Sequence, residues 1–335
     1  MTHSGRVLVI GDGGWGTALA LAAHRAGNAV AVWSVDPSYA EEVARTRENR
    51  KFLPGVVIPK ELEWTSDAAA AARGATLALS VVPTQFVRAT LGNFQGLLSG
   101  VPIFSATKGL ERGTLLRPTQ IIAQCLGPSA VLGAISGPSH AEETALGRAT
   151  SVVAACANEI LAGAVAERLG SDSLRLYTSA DLAGVELGGA LKNIIAVGAC
   201  IADGLELGDN AKAALVARGL VEMARYGAAY GAQRETFFGL SGAGDLMVTC
   251  YSRHSRNRGL GERIGRGESL EQILASTEKV AEGVWTCRAI HEQAVRDQLE
   301  MPITSVVYGV LFEKLAPRDA VRALMQRPRR SETSA

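Results

Sequence analysis

The chain has 335 residues, which is long for one ordinary domain and favours two. Hydrophobic residues make up 47% and charged residues 20%, so the chain can bury a large core, which argues against intrinsic disorder. A formal net charge of +1 gives no bulk electrostatic reason to expect a nucleic-acid partner or an anionic membrane surface.

The cysteines and histidines show no spacing typical of a disulfide framework or a metal site. Five cysteines lie far apart without a CxxC pair, which favours a reducing cytoplasm. The five histidines include no HExxH motif, so no metal is predicted. No signal-peptide pattern opens the sequence, and the longest apolar run, 194–202, is shorter than the ~20 residues of a membrane span. We therefore expect a cytoplasmic protein without an integral membrane segment.

The first 36 residues predict a dinucleotide-binding unit. Asp36 comes 20 residues after Gly16, the last glycine of a GxGxxG motif. This motif alone is weak, but strand, glycine loop, helix, stop, strand and acid in this order are typical of a Rossmann unit. The strand, loop, helix, stop and second strand are predicted at residues 7–10, 11–16, 17–26, 27–28 and 29–33.

Each residue type in this unit has a physical reason. Gly11 permits the tight turn, Gly13 lets the backbone approach a pyrophosphate, and Gly16 allows close packing of helix and strand. The helix N-terminus offers free N–H groups to phosphates. Asp36 is expected to bind the ribose hydroxyls. The alternative is a glycine-rich turn that holds no ligand.

More strands alternate with helices up to about residue 177. Ligands of such sheets bind beyond the carboxyl ends of the strands, where Lys108 and residues 137–141 fall. Lys108 is therefore a candidate contact for an anion or a carbonyl, with a solvated loop lysine as the alternative. We predict strands at 76–82, 101–106, 131–135, 151–155 and 174–177, a helix at 68–75, a helix that opens at 83–85, and a long loop around 52–55.

The second half shows only helical patterns. A sheet followed by helices predicts an α/β fold with an N-terminal Rossmann-type, mostly parallel sheet, a C-terminal all-α domain and a cleft between them. The predicted domains are 1–180 and 181–326, followed by a polar tail at 327–335. The predicted helices cover 181–203, 210–230, 270–275, 286–297, 303–312 and 317–325.

The segment 184–204 predicts a long buried helix that carries an unusual lysine. Gly188 and Gly189 precede Lys192 by one turn, and glycine inside a helix costs about 1 kcal/mol relative to alanine. The pair therefore indicates close approach of a backbone or a ligand. Burial lowers the pKa of a lysine and suits it to proton transfer. The alternative is that Lys192 extends to solvent from a core helix.

Two further segments are candidate sites. Asp245 follows a glycine-rich stretch and is either a helix N-cap or a polar group turned into the cleft. Residues 252–258, with three arginines, two serines and an asparagine, offer many donors and no carboxylate, which suits a phosphate. A solvated basic loop is the alternative, and an RNA-binding loop would need interleaved aromatic residues.

These segments together resemble the bacterial NAD(P)-dependent glycerol-3-phosphate dehydrogenase family, which is 6-phosphogluconate dehydrogenase-like in fold. SATKGLE, LGGALKN and the GDL…SRNR pair are specific to this family, whereas GxGxxG is not. The matching stretches, from residue 7 to about 305, are GDGGWGTALA, KFLPG, VVPTQ, SATKGLE, ISGPSHAEE, GVELGGALKNIIAVGACIADGL, GLSGAGDLMVTC, SRNRGLG, KVAEG and EMPIT.

The resemblance implies reversible reduction of dihydroxyacetone phosphate to sn-glycerol 3-phosphate for phospholipid synthesis, carried out by a homodimer. It implies that Lys192 is the catalytic proton donor and acceptor and binds substrate, with Lys108 touching both substrate and cofactor. The other implied substrate residues are Gly137, Ser139, Asp245, Thr249, Ser255, Arg256 and Asn257. The implied cofactor residues are Gly11, Gly13, Gly14, Trp15, Gly16, Asp36, Ala141, Arg256, Val280 and Glu282.

Two positions depart from the family pattern. The family usually has serine where this chain has Gly14, and bacterial members commonly have histidine or arginine where it has Val35. Val35 cannot pair with a 2′-phosphate, and Asp36 would repel one while binding a ribose diol. The cofactor is therefore NAD or NADP, with NADH favoured.

Two other functions fit the same layout. A β-hydroxyacid dehydrogenase would also use a helix lysine and asparagine, but its substrate carries a carboxylate instead of a phosphate. A non-catalytic dinucleotide-sensing protein would keep the fold without the chemistry. Retention of Lys192, Asn193 and Asp245 together argues against the sensor.

Overall fold

A computed structural model describes residues 5–252, 255–276, 282–329 and 331–332. The chain divides into two compact units, Met1–Glu186 and Leu187–Ala335. The first unit contains strands that alternate with helices, whereas the second contains helices, as the change of pattern along the sequence indicates.

The first unit is built on an eight-stranded sheet. The strands of this unit are β1 Arg6–Ile10, β2 Ala29–Trp33, β3 Glu48–Asn49, β4 Leu53–Val57, β5 Glu63–Thr65, β6 Ala75–Ser80, β7 Ile103–Ser105, β8 Leu132–Ser136, β9 Thr150–Ala155 and β10 Leu174–Ser179. The strand order of the sheet is β10-β9-β8-β7-β6-β1-β2-β5, and neighbouring strands are parallel except for the antiparallel pair β8 and β9. The mostly parallel Rossmann-type sheet is thereby confirmed.

Alternation of buried side chains along the central strand places helices on both faces of this sheet. Val7 and Val9 join one apolar cluster, whereas Leu8 and Ile10 join another. A strand buried on both faces needs cover on both. The covering helices are α1 Gly14–Arg25, α2 Pro37–Thr46, α3 Ala68–Ala72, α4 Thr84–Gly92, α5 Pro118–Leu126, α6 Ala141–Ala145 and α7 Glu159–Leu169.

The prediction of a long loop around residues 52–55 is wrong. The strand β4 lies there and pairs antiparallel with the two-residue strand β3. Strand β5, at the sheet edge beside β2, was also not predicted. These strands have two to five residues, too few to display the alternation that identifies a strand. The helix predicted at 68–75 ends early, because β6 begins at Ala75.

The second unit contains helices, and its sequence-predicted helices are present within a few residues. Helix α8, Leu182–Gly204, begins four residues before Glu186, the last residue of the first unit, and most of it belongs to the second unit. By length and composition α8 could cross a membrane, but its apolar window is entirely buried, as in a core helix. The helices are α8 Leu182–Gly204, α9 Asp209–Ala229, α10 Asp245–Tyr251, α11 Arg256–Gly265, α12 Leu270–Ala275, α13 Glu282–Arg296, α14 Pro302–Phe312 and α15 Pro317–Met325; a 3-10 helix, Arg234–Phe238, and a π-helical turn, Leu240–Gly244, precede α10.

Gly188 lies where another backbone approaches α8 closely, as the sequence predicts. A Cβ atom placed on Gly188 would lie 2.8 Å from the carbonyl oxygen of Ser241, which is closer than real Cβ contacts. The backbone of the π-helical turn therefore packs directly on α8. This contact brings the start of α10 close to the turn of α8 that carries Lys192.

Candidate active site

The glycine loop of the first unit has the geometry of a phosphate cradle. Gly11 has φ +111°, which L side chains rarely adopt, so the tight turn requires glycine. A Cβ on Gly16 would lie 2.0 Å from the Gly11 carbonyl oxygen, whereas a Cβ on Gly13 would meet nothing within 4 Å. The space at Gly13 faces the N-terminus of the 12-residue helix α1, where free N–H groups favour a phosphate. The loop therefore fits a dinucleotide pyrophosphate.

A buried hydrogen-bond network that the sequence did not reveal supports this loop. Asn49 Nδ2 donates to the carbonyl oxygen of Asp12 and to Thr17 Oγ1, both at 2.7 Å. Tyr39 donates its hydroxyl to Asn49 Oδ1 at 2.6 Å. Asn49 thus fixes the backbone at the second loop position. It could not be found by spacing, because it lies in a two-residue strand outside any motif.

Two carboxylates lie near the end of β2, Asp36 from the segment after β2 and Asp12 from the glycine loop after β1. Asp36 is the N-cap of α2, where it accepts hydrogen bonds from Tyr39 N at 3.1 Å and Ser38 Oγ at 2.8 Å. These hydrogen bonds, that from Tyr39 first, hold the pKa of Asp36 below its usual value. Asp12 is almost fully buried and accepts from Ser34 Oγ at 2.7 Å. Burial raises the pKa of Asp12, although the Ser34 hydrogen bond opposes this.

Gly14 stands beside two segments that close over the start of α1. A Cβ on Gly14 would lie 2.8 Å from the Phe52 carbonyl oxygen and 3.6 Å from Ala141 Cβ. Trp15, the next residue, is half-buried, and its indole nitrogen has no hydrogen-bond partner in the described part of the chain. The structure therefore brings three predicted cofactor residues together, Gly14, Trp15 and Ala141, and adds Phe52.

Lys108 meets two of its predicted neighbours at the ends of adjacent strands. It follows β7, and Gly137 follows β8, the strand that pairs parallel with β7. Lys108 Nζ donates to the Gly137 carbonyl oxygen at 3.0 Å and to Ser139 Oγ at 3.2 Å. Its ammonium group is therefore held at the carboxyl edge of the sheet. The alternative, in which Lys108 is a solvated loop lysine, is therefore wrong.

In the second unit, Lys192 is buried and hydrogen-bonded to two groups of one helix. Its Nζ lies 2.6 Å from Asp245 Oδ1 and 2.7 Å from Thr249 Oγ1. Lys192, Asp245 and Thr249 are 7%, 1% and 5% exposed, so bulk water screens the charges little. The alternative in which Lys192 extends to solvent is excluded.

The interpretation of Asp245 as a helix N-cap is wrong. The N-cap of α10 is Gly244, and Asp245 is the first residue of the helix. Gly244 already has helical dihedral angles, because the π-helical turn runs directly into α10. The Asp245 carboxylate accepts a hydrogen bond from Lys192 Nζ at 2.6 Å, as expected for a polar group turned towards another element.

The segment predicted as a basic loop is partly a helix start. Ser255 is the N-cap of α11, where its Oγ accepts from Arg258 N at 3.2 Å, and Arg256 and Asn257 lie in the first turn. Residues 253 and 254 lie outside the described residues. A helix N-terminus with an exposed arginine suits a phosphate better than a loop does, because its N–H groups point outward together.

Asn257 and Arg256 each contact a neighbouring element. Asn257 donates to Asn193 Oδ1 at 2.8 Å and accepts from Gly283 N at 3.1 Å, so it bridges α8 and α13. Arg256 lies 4.0 Å from Glu282, the first residue of α13. Val280, predicted to contact the cofactor, lies outside the described residues.

A second buried lysine, which the sequence did not single out, holds the other end of α10. Lys212 Nζ lies 2.6 Å from Asp203 Oδ2 and 3.3 Å from the Cys250 carbonyl oxygen. Asp203 lies on α8, as Lys192 does, so α10 is joined to α8 near both of its ends. Among the described residues, no group of three or more histidine, cysteine or acidic side chains could hold a metal ion.

Family models match nearly the whole chain. The model of the NAD-dependent glycerol-3-phosphate dehydrogenase N-terminus matches residues 6–162, and that of the C-terminus of the same family matches residues 181–322. A glycerol-3-phosphate dehydrogenase (NAD(P)+) of Prosthecochloris aestuarii is 45% identical over 330 residues, which cover 97% of this chain and 99% of that protein. One of Bacillus mycoides is 44% identical over 333 residues, 98% of each chain.

Solved structures agree with these sequence matches. The crystal structure of glycerol-3-phosphate dehydrogenase from Coxiella burnetii is 36% identical with a TM-score of 0.89, covering 97% of this chain and 99% of that chain. The yeast glycerol-3-phosphate dehydrogenase structure has a TM-score of 0.85 at 24% identity, covering 97% and 100% of the two chains, which supports the fold.

Proposed function

Because this chain belongs to the NAD-dependent glycerol-3-phosphate dehydrogenase family, we propose that it catalyses the reversible reduction of dihydroxyacetone phosphate to sn-glycerol 3-phosphate with NADH or NADPH. It is accordingly an oxidoreductase. The observation that carries the proposal is the buried contact of Lys192 with Asp245 and Thr249, which fixes an ammonium group with a proton to give.

Lys192 is the proposed proton donor in reduction. A nicotinamide held by the first unit would supply the hydride, so that negative charge develops on the carbonyl oxygen of the substrate. Lys192 gives its proton to that oxygen and takes it back from the hydroxyl group in the oxidation direction. Asp245 and Thr249 hold Nζ in one position, so little reorganisation is needed at the moment of transfer.

The start of α11 is the proposed contact for the substrate phosphate. Ser255, Arg256 and Asn257 lie there, and the helix N-terminus favours a dianion. Binding energy from the phosphate, remote from the reacting carbon, positions the carbonyl for reaction. The Asn257 bridge to Asn193 and Gly283 keeps this turn in place. Lys108, Gly137 and Ser139 are proposed as further substrate contacts, with Lys108 also touching the cofactor.

The glycine loop and its neighbours are proposed to hold the dinucleotide. The contacts proposed are Gly11, Gly13, Gly14, Trp15, Gly16, Asp36, Lys108, Ala141, Arg256, Val280 and Glu282. The loop geometry at Gly13 and the α1 N-terminus support a pyrophosphate there. With Val35 exposed and apolar beside Asp36, we also propose that NADH is preferred.

In the cell, we propose that the enzyme is a cytoplasmic homodimer whose product supplies phospholipid synthesis. The five free thiols, at Cys125, Cys156, Cys200, Cys250 and Cys287, are in keeping with a reducing compartment. Light scattering coupled to size exclusion tests the dimer, and a mass of one chain at micromolar concentration contradicts it.

The direct test follows loss of reduced-nicotinamide absorbance with dihydroxyacetone phosphate, for the wild type and Lys192→Ala. We expect turnover in the wild type and its loss in the variant, with dinucleotide binding retained. A 3-hydroxy acid with oxidised cofactor is the comparison substrate, because a β-hydroxyacid dehydrogenase would use it. Dinucleotide binding without turnover of either substrate would instead support a sensor.

A further inference from the structure

We propose that Asp12, inside the glycine loop, is a second determinant of cofactor choice, which acts with Asp36 to reject the 2′-phosphate of NADPH. The inference rests on the proposed dinucleotide-dependent function and deepens it. The middle residue of the GxG turn carries no charge requirement of its own, since the two flanking glycines make the turn and the approach to the pyrophosphate. A carboxylate at this position therefore needs another explanation.

The position of the Asp12 side chain provides that explanation. Its Oδ2 accepts a hydrogen bond from Ser34 Oγ at 2.7 Å, and Ser34 is the residue directly after β2. The same Ser34 hydroxyl lies 3.3 Å from the carbonyl oxygen of Asp36. The acid at the end of the second strand of a Rossmann unit binds the adenosine ribose. Asp12 is thus tied to the strand end where a 2′-phosphate would have to be accommodated.

Asp12 is held there rigidly. Asp12 is 9% exposed, Ser34 is fully buried, and the Asp12 carbonyl oxygen accepts a hydrogen bond from Asn49 Nδ2. Backbone and side chain are both fixed, so the carboxylate cannot turn away to make room for a second anion. Asp36 is fixed as well, by its role as N-cap of α2.

The cations near Asp12 and Asp36 do not offset the negative charge of the two carboxylates. Lys51 lies within electrostatic range of both carboxylates, but its Nζ rests over the Phe52 and Tyr39 rings, at 5.0 and 5.7 Å from their centroids. Arg50 is paired with Glu48 at 2.9 Å. Among the described residues, Lys51 is the cation that acts on both Asp12 and Asp36, and Val35 adds no charge. A ribose diol can donate hydrogen bonds to carboxylates, whereas a phosphate dianion is repelled.

Asp12→Asn tests the inference, because asparagine keeps the size and an acceptor for Ser34 while removing the charge. Binding of NADH and NADPH to the free enzyme is measured by fluorescence titration, without substrate. We expect wild-type NADPH affinity to be at least about tenfold weaker than NADH affinity, and Asp12→Asn to reduce that ratio by about tenfold. Asp172→Asn, at an exposed site before β10, is the control for net charge and should leave the ratio unchanged.

Several outcomes would overturn the inference. Equal wild-type affinities for the two dinucleotides would show that the carboxylates do not discriminate. An unchanged ratio in folded Asp12→Asn would leave Asp36 as the determinant and Asp12 as a support for Ser34. If Asp12→Asn does not fold, the same ratio of NADH to NADPH affinity is measured for Asp12→Ser, and a ratio equal to that of the wild type overturns the inference. Failure of the proposed function is distinguishable, because the wild type would then bind dinucleotide without reducing dihydroxyacetone phosphate.

Discussion

Lys192 Nζ lies 2.6 Å from Asp245 Oδ1, and both groups are buried on neighbouring helices of the second unit. The residues are 53 positions apart in sequence, so the contact exists only in the fold. The hydrogen bonds from Lys192 Nζ to the Asp245 carboxylate and the Thr249 hydroxyl fix the direction of this buried side chain. Removing either partner should therefore change the chemistry of Lys192 more than its binding of substrate.

Asp245→Asn should lower kcat by about 100-fold while leaving dinucleotide affinity unchanged. The amide keeps the shape of the side chain but carries no negative charge, so Lys192 loses its ion pair with Asp245. Thr249→Val should cost less, about tenfold, because it removes the hydroxyl's hydrogen bonds with Lys192 Nζ and with the Asp245 carbonyl oxygen but leaves the carboxylate charge in place. Steady-state kinetics measure kcat, and fluorescence titration measures dinucleotide affinity. A kcat within twofold of the wild type for Asp245→Asn would contradict the assigned role.

Lys212→Met should lower both stability and kcat, because Lys212 joins α10 to Asp203 of α8. The variant leaves the Cys250 carbonyl without this donor, which should cost about 1–3 kcal/mol of unfolding free energy. Since α10 carries Asp245 and Thr249, its movement should reduce kcat more than it raises KM.

The exposed Lys314 provides the matched control. Lys314→Met should change neither the unfolding free energy nor kcat. If Lys212→Met loses stability but keeps the wild-type kcat and its pH profile, the contact is only structural and α10 does not depend on it for position.

Some of this site could be predicted from the sequence because its signals are local. The roles of Gly11 and Gly16 follow from spacing within one strand–turn–helix unit, and the structure has the expected positive φ and close packing. The buried helix around Lys192 was predicted from its apolar composition. Patterns of this kind predict structure well because they depend on residues that are close together in the sequence.

Other features depend on contacts that no local pattern encodes. Asp245 looked like an N-cap because it precedes an apolar run, and the π-helical turn before it removed that role. Asn49 supports the glycine loop from 32 positions beyond its partner Thr17. No motif singles out Lys212, because its partners Asp203 and Cys250 lie on α8 and α10 and meet it only in the fold.

Gly14→Ser should destabilise this chain, although serine is the residue that the family resemblance leads us to expect at this position. The new Cβ would lie 2.8 Å from the Phe52 carbonyl oxygen, so the 52–55 segment must shift. Overpacking of this kind typically costs about 1–3 kcal/mol. We expect a lower thermal midpoint and weaker dinucleotide binding, measured by calorimetry and titration.

Gly92→Ser is the matched control for this substitution, because Gly92 also lies in a helix and a Cβ there would meet nothing within 4 Å. The control should change the midpoint little. Equal midpoints for both variants would mean that the Phe52 backbone yields without cost, and that Gly14 does not fix the loop.

Glu111 of the SATKGLE motif should contribute a pH-dependent part of the stability. Arg88 contacts its two carboxylate oxygens at 3.0 and 2.9 Å, and Thr114 donates to it at 2.6 Å. The Arg88 hydrogen bonds hold the pKa of Glu111 below its usual 4.5. Because the folded state has the lower pKa, this stabilisation is present above 4.5 and is lost as the pH falls through the lowered value.

Glu111→Gln removes that dependence. Urea unfolding of the wild type and the variant, at about pH 7 and at about pH 4 and below, should show a gap that is largest at neutral pH and shrinks in acid. Glu61→Gln, at an exposed position, controls for the general effect of removing a carboxylate. A gap that stays constant across this range would mean that Arg88 contributes packing alone, and that the ion pair does not couple folding to protonation.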